Sequence, residues 1–213
     1  MLIIDNIETG YEKKQVLFGV SFVVNDCEIV LLNGGNGSGK STVLKCIYGL
    51  LNVWNEGRIN FNGDDITGEQ PSSMISKGIV YIPQKNNYFE NLNVRSNLEI
   101  SGTTIKDKKL LSQRIEEVYS LTGLAKYSSR TPFSMSGGER QLLALGMALI
   151  HKPKLILFDE PFGGLDKENS DSMLKTILTL NKDGITFLIV EHKLLLSKYT
   201  NRVYKIELGR NKD

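Results

Sequence analysis

The sequence predicts an α/β fold, a largely parallel sheet covered by helices on both faces, and three observations carry that prediction. Short apolar runs recur at residues 29–32, 79–82, 155–158 and 187–190. Continuous runs rich in branched residues suit strands that are buried on both faces. Each run is followed by polar residues able to do chemistry: a glycine-rich loop, Gln84, Asp159-Glu160, and Glu191-His192. In open α/β sheets ligands bind beyond the carboxyl ends of the strands, so four strands deliver four candidate groups to one edge. Between the second and third runs the pattern turns helical, with Ile115, Val118, Tyr119 and Thr122 at i, i+3, i+4 and i+7.

The run at 29–32 leads into Gly34-Gly35-Asn36-Gly37-Ser38-Gly39-Lys40-Ser41, with a helical stretch expected over 42–51. This is the phosphate-loop pattern in its required setting, after a strand and before a helix. Glycines let successive N–H groups turn toward phosphate oxygens, and the helix N-terminus adds partial positive charge. Lys40 is expected to reach the β- and γ-phosphates and Ser41 to ligate Mg²⁺. After the run at 79–82, Gln84 offers an amide oxygen to magnesium or water.

From Asn86 to Arg130 polar loops and the helical pattern predict an inserted lobe. It ends at Ser134-Met135-Ser136-Gly137-Gly138, where Ser136 is a plausible N-cap for an apolar, largely buried helix over 139–150. A helix start with glycines and a hydroxyl is an anion site. Without lysine or metal ligand it is suited to complete a site held elsewhere. The run at 155–158 then presents Asp159 and Glu160, a pair costly at a buried strand end unless it handles a cation and a water. Asp159 suits the magnesium shell and Glu160 the role of general base. Pro161 fits a turn after them. The last run places His192 where a donor meets the γ-phosphate.

The chain has 213 residues, which suits a single domain, 1–213, carrying an insertion at about 86–150. A formal net charge of +2 is too small for a surface that neutralises many phosphates, so nucleic acid is not an expected partner. The lysines near 13–14 and 106–109 are read as solvated surface. Cys27 and Cys46 lack metal-site spacing and are read as reduced core thiols of a cytoplasmic protein. No apolar run approaches the roughly 18 residues of a membrane span, and the start lacks the basic and apolar segments of a signal peptide. Membrane attachment is therefore expected through a partner.

Taken in order, these segments resemble the ATP-binding cassette (ABC) ATPases, the nucleotide-binding subunits of ABC transporters, over nearly the whole chain. In that family the phosphate loop, glutamine loop, signature segment, carboxylate strand, Leu-Asp turn and histidine follow one another. Here they read residues 34–42, Gln84, Ser136-Gly137-Gly138-Glu139-Arg140-Gln141, residues 155–160, Leu165-Asp166 and His192. The resemblance implies a P-loop NTPase (RecA-like) core, a small N-terminal antiparallel β subdomain and an inserted helical subdomain. It extends nucleotide contact to Thr42 and Asp166, and has Tyr11 stack on adenine. The dipeptide Asn62-Gly63 fits a hairpin of the antiparallel sheet.

The resemblance further implies that two copies, or this chain and a second ABC ATPase, sandwich ATP head to tail. Ser136, Gly137 and Gly138 would then contact the γ-phosphate in trans. Transmembrane permease subunits would hold the ATPase at the inner face of the membrane, with residues 85–100 as the coupling surface. Residues 160–166 and 190–193 look most like branched-chain amino-acid importer ATPases and the lipopolysaccharide-export ATPase. Met135, Glu139 and Gly35 depart from the usual leucine, glutamine and proline of the motifs. A soluble ABC-type ATPase serving as an assembly or scaffold factor shares the same motifs. A small-molecule P-loop kinase fits neither the Ser136 segment nor His192. No regulatory domain is expected after His192.

Overall fold

A computed structural model describes residues 1–85, 87–192 and 196–212. Asn86, the first residue of the expected insertion, and Lys193, part of the importer likeness, lie outside the described residues. The elements that begin the chain are antiparallel strands β1 (Leu2–Tyr11) and β2 (Lys14–Val24). They are joined later by β4 (Arg58–Phe61) and β5 (Asp64–Asp65), in the order β2-β1-β4-β5. Asn62 and Gly63 connect β4 to β5 with φ of 53° and 93°. Two positive φ values make the tight hairpin whose twist matches the strands, as the dipeptide predicts.

The second sheet runs β10-β9-β3-β8-β7-β6. Its strands are β3 (Ile29–Asn33), β6 (Ile79–Ile82), β7 (Leu155–Asp159), β8 (Thr186–Glu191), β9 (Arg202–Glu207) and β10 (Arg210–Lys212). All pairs are parallel except β9 with β10. The apolar runs are explained by two cores, one on each face. Leu31, Ile82, Phe158 and Ile189 point into a core built with the helices of residues 94–182. Leu32, Ile79, Leu157 and Val190 point into the other, shared with β1 and β2. Side chains alternate along a strand, so both parities must be apolar when both faces are covered.

Helix α1 (Lys40–Ile47) follows β3, and α2 (Pro71–Lys77) precedes β6. The sequence places the helix after the phosphate loop at 42–51. It begins two residues earlier and ends at Ile47, because Gly49 turns left-handed at φ 76° with its backbone against Glu69. Between β6 and β7 lie α3 (Val94–Ser101), α4 (Lys108–Thr122) and α5 (Gly137–Leu149). Asn93 caps α3, and Asp107 caps α4. On α4, Ile115, Val118 and Tyr119 are buried as the spacing requires, and the Thr122 hydroxyl donates back to the Val118 carbonyl. Helix α6 (Lys167–Lys182) joins β7 to β8.

Cys46 is buried, and burial pushes its thiol up to about 12. Cys27 departs from the expectation of a core thiol: it is exposed, at a left-handed turn with φ 59° just before β3. The β9–β10 hairpin ties the two sheets together. Phe18 N–H donates to the Gly209 carbonyl at 2.8 Å, and Gly209 N–H donates to the Ser38 carbonyl at 2.9 Å. The terminal hairpin thus touches both the antiparallel sheet and the glycine loop. Among the described residues, no helix is long and apolar enough to cross a membrane.

Candidate functional site

The parallel strands β3, β6, β7 and β8 end at one edge, and that edge carries the predicted groups. Gly34 leaves β3 with so little room that a Cβ would stand 2.2 Å from the Ile206 carbonyl oxygen. Gly39 takes φ 105° to start α1, a left-handed conformation that favours glycine. Between them, Cβ positions at Gly35 and Gly37 meet nothing within 4 Å, so the loop keeps an open backbone face. The Ser38 hydroxyl is buried and unpartnered among the described residues. Lys40, 4% exposed, turns its Nζ onto the Gly34 and Gly35 carbonyls, each at 2.9 Å.

Beside the loop, Ser41 Oγ donates to Asp159 Oδ1 at 2.9 Å, and Tyr81 donates its hydroxyl to Asp159 Oδ2 at 3.2 Å. Burial lifts the Asp159 carboxyl above its usual range, against the pull of these two hydrogen bonds and with the help of the neighbouring Glu160 charge. A half-buried serine beside a buried carboxylate, next to an open phosphate loop, is a hard-oxygen donor set that fits Mg²⁺. That ion takes one or two protein ligands and draws the rest from phosphates and water.

Gln84 and Glu160 meet, the amide Nε2 donating to Glu160 Oε2. Glu160 sits at φ 51°, a strained backbone for a non-glycine residue, and hangs from β8 by its N–H to the Val190 carbonyl at 2.9 Å. One cavity of about 510 Å³ is lined by Asn36 to Thr42 of the loop together with Tyr11, Gln84, Glu160 and His192. Tyr11 is 42% exposed at the end of β1, with Lys45 Nζ 5.5 Å from its ring centroid.

The second predicted segment is placed apart. Ser136 caps α5 in a reciprocal box: Glu139 N–H donates to Ser136 Oγ at 3.2 Å, and Ser136 N–H to Glu139 Oε2 at 2.8 Å. This explains glutamate at that position. Burial works against the Glu139 charge, but the Ser136 N–H, Tyr127 and Arg130 outweigh it and hold its carboxyl below the usual range. Gly137 faces a separate cleft of about 420 Å³ beside Leu165, which Gln84 also lines. Asp166 spends its carboxylate capping α6, accepting from Asn169 N–H at 2.8 Å. Ser136, Gly137, Gly138 and Asp166 therefore do not line the phosphate-loop cavity of their own chain.

Against known proteins, the family model described as ABC transporter matches residues 17–163, more than half of the chain. The chain belongs to the ABC transporter ATPase family. Two relatives are similar over almost its full length. The high-affinity branched-chain amino acid transport ATP-binding protein BraG of Pseudomonas aeruginosa is 37% identical, covering 99% of this chain and 90% of that protein. The probable branched-chain amino acid transport ATP-binding protein LivF of Archaeoglobus fulgidus is 35% identical, covering 96% and 87%. A solved ATP-binding cassette of an ABC transporter in its ADP conformation superposes with a TM-score of 0.91. It is 30% identical, and the match covers 100% of this chain and 89% of that one. As an ABC ATPase the chain thus has the α/β fold that its apolar runs predict and the antiparallel β subdomain that the resemblance implies.

Tyr81 and Lys45 escaped the sequence reading. Tyr81 pairs with Leu157 in the parallel ladder, so it shares a sheet face with Asp159, two residues beyond Leu157, a register that no local motif announces. A polar atom in an otherwise apolar strand needs a partner, and Asp159 is the one within reach.

Proposed function

We propose that this ABC ATPase powers a membrane transporter by ATP-driven closure of a dimer, with branched-chain amino-acid import as its task. The carrying observation is the split of the site. Lys40, Ser41, Glu160 and His192 gather at one cavity or on its wall, while the α5 N-terminus faces another cleft. An N-terminus bearing Ser136, Gly137 and Gly138 can bind a phosphate but cannot hold a nucleotide alone. It acquires a task when a second ABC ATPase, identical or different, presents its bound ATP. Import of branched-chain amino acids is supported by the names of BraG and LivF, which span nearly the whole chain.

In this reading Lys40 leaves the Gly34 and Gly35 carbonyls for the β- and γ-phosphates, and the loop from Gly34 to Thr42 supplies N–H donors. Ser41, Asp159 and Gln84 hold Mg²⁺, which when bound neutralises charge building on the phosphates. Glu160 accepts the proton of the attacking water, Gln84 orients that water, and His192 donates to the γ-phosphate. Tyr11 stacks on adenine, and Asp166 lies at the dimer seam. Closure in the ATP state and opening after hydrolysis follow from the differential affinity of the two states for the nucleotide.

The helices between β6 and β7 form the inserted subdomain, about 86–150, of a single 1–213 domain. Its groove of about 330 Å³, lined by Tyr88, Phe89, Met147 and His151, receives the permease subunits. That holds the protein at the inner membrane face from the cytoplasm. Replacing Glu160 by Gln tests the core of the proposal. The variant should bind ATP, accumulate an ATP-dependent dimer in sedimentation, and hydrolyse about 10²- to 10⁴-fold more slowly. Undiminished turnover removes Glu160 as the base.

A further inference from the structure

Glu191 carries a carboxylate that is 1% exposed at the end of β8, directly before His192. A carboxyl group so buried needs hydrogen-bond partners, and two of those it has are backbone N–H groups. Its Oε1 accepts the N–H of Phe162 at 2.9 Å, and its Oε2 accepts the N–H of His192 at 3.2 Å. Phe162 lies two residues beyond Glu160 and is itself buried. The β7–β8 ladder ends at Asp159 opposite Val190, and the Glu160 N–H to the Val190 carbonyl extends it by one step. The Glu191 side chain takes the next anchorage. The strained turn from Glu160 to Phe162 is therefore held to β8 both through the backbone and through the Glu191 side chain. His192 Nδ1 lies 3.8 Å from Glu191 Oε2, beyond a hydrogen bond but within the reach of its charge.

We propose that Glu191 is a positioning residue that locks the turn carrying the general base to the backbone carrying the histidine. One carboxylate grips both segments, so Glu160 and His192 keep a single mutual geometry when strands shift with the nucleotide state. A displacement of about 1 Å at a reacting group costs as much as 10²-fold in rate. The proposal rests on the assignment of Glu160 and His192 to hydrolysis given above.

The test uses the full chain with Glu191→Gln, which keeps size and one acceptor oxygen, and Glu191→Ala, which keeps neither. Steady-state ATPase kinetics, ATP affinity, melting temperature and amide exchange over 160–163 are measured for both. The expected result is a kcat lower by about tenfold for Gln and about 10²-fold for Ala. ATP affinity stays near wild type, and exchange at the Phe162 amide accelerates, most in the Ala variant. Unchanged kcat with a deprotected Phe162 amide overturns the proposal, because the turn then needs no anchor. A parallel loss of ATP affinity, melting temperature and kcat overturns it too, since the carboxylate is then merely structural. Failure of the underlying assignment shows separately, as persistent hydrolysis in Glu160→Gln.

Discussion

Asp159 is where stability and chemistry oppose each other. Its carboxylate is 3% exposed, and burial raises its folded-state pKa above the unfolded value. A raised acid pKa means that the folded state holds its proton more tightly. The buried charge therefore costs stability at pH values above the folded-state pKa. That cost fades as pH falls through the folded-state value, and is gone below the ordinary carboxylate pKa of about 3.9. Asp159→Asn keeps one acceptor oxygen for one of the two hydroxyls, Ser41 or Tyr81, and turns its NH₂ as a donor to the oxygen of the other, without the charge. It should melt higher than wild type at pH 7 without nucleotide, with the gap closing on acidification, while hydrolysis is lost. Melting curves across pH check this, and a lower melting point at pH 7 would contradict the burial argument. Residues such as Lys40, Ser41 and Asp159 were legible in the sequence because phosphate and magnesium chemistry demands those types next to a strand end. Tyr81, Lys45 and Glu191 were not, because their tasks depend on partners brought close only by strand register and helix packing.

At the scale of elements, α5 carries two separable functions at its first turn. The capping box satisfies N–H groups of its own helix, so Ser136→Ala should lower stability by about 1 kcal/mol, seen in denaturant melts. Gly137 and Gly138 differ sharply in what they face. A Cβ at Gly138 would stand 2.3 Å from the Asn169 side chain, whereas one at Gly137 meets only Leu165, at 3.4 Å. Gly137→Leu is therefore the variant that adds bulk to the outward cleft while leaving the α5–α6 packing in place. It should bind ATP as a monomer with near-normal affinity in titration calorimetry and still fail to hydrolyse. Collapse of monomer affinity would count against contact in trans. Strands β3, β6, β7 and β8 were readable from sequence because burial on both faces leaves them almost wholly apolar until they end, whereas β9, parallel to β3 but mostly exposed, has no such run. Helix ends were less readable, since α1 stops where Gly49 meets the distant Glu69 backbone.

For the whole molecule, the expectation is linkage between nucleotide, dimer and membrane partner. Saturation with MgATP at about 100 times its Kd should stabilise the fold by about 2.7 kcal/mol, read as a rise in melting temperature. Lys40→Ala should abolish that rise. Purification from native membranes should recover a multi-span protein with the ATPase, whereas repeated recovery without one would favour the scaffold role. In the proposed role the chain meets nucleotide and permease rather than cargo, so the cargo is argued from its relatives and not from a binding surface of its own.

The C-terminal hairpin adds a consequence for how the protein matures. The Ser38 carbonyl rests on the Gly209 N–H, and Gly34 fits tightly under the Ile206 carbonyl. A motif that looks local in sequence is thus closed by residues from the far side of the chain, and such long-range closures form late in folding. Nucleotide capture during refolding should then be among the last properties to return, after the helices. ATP binding becomes a gauge of completed assembly: a half-folded chain would already contain the motif and yet be unable to draw on the cell's ATP.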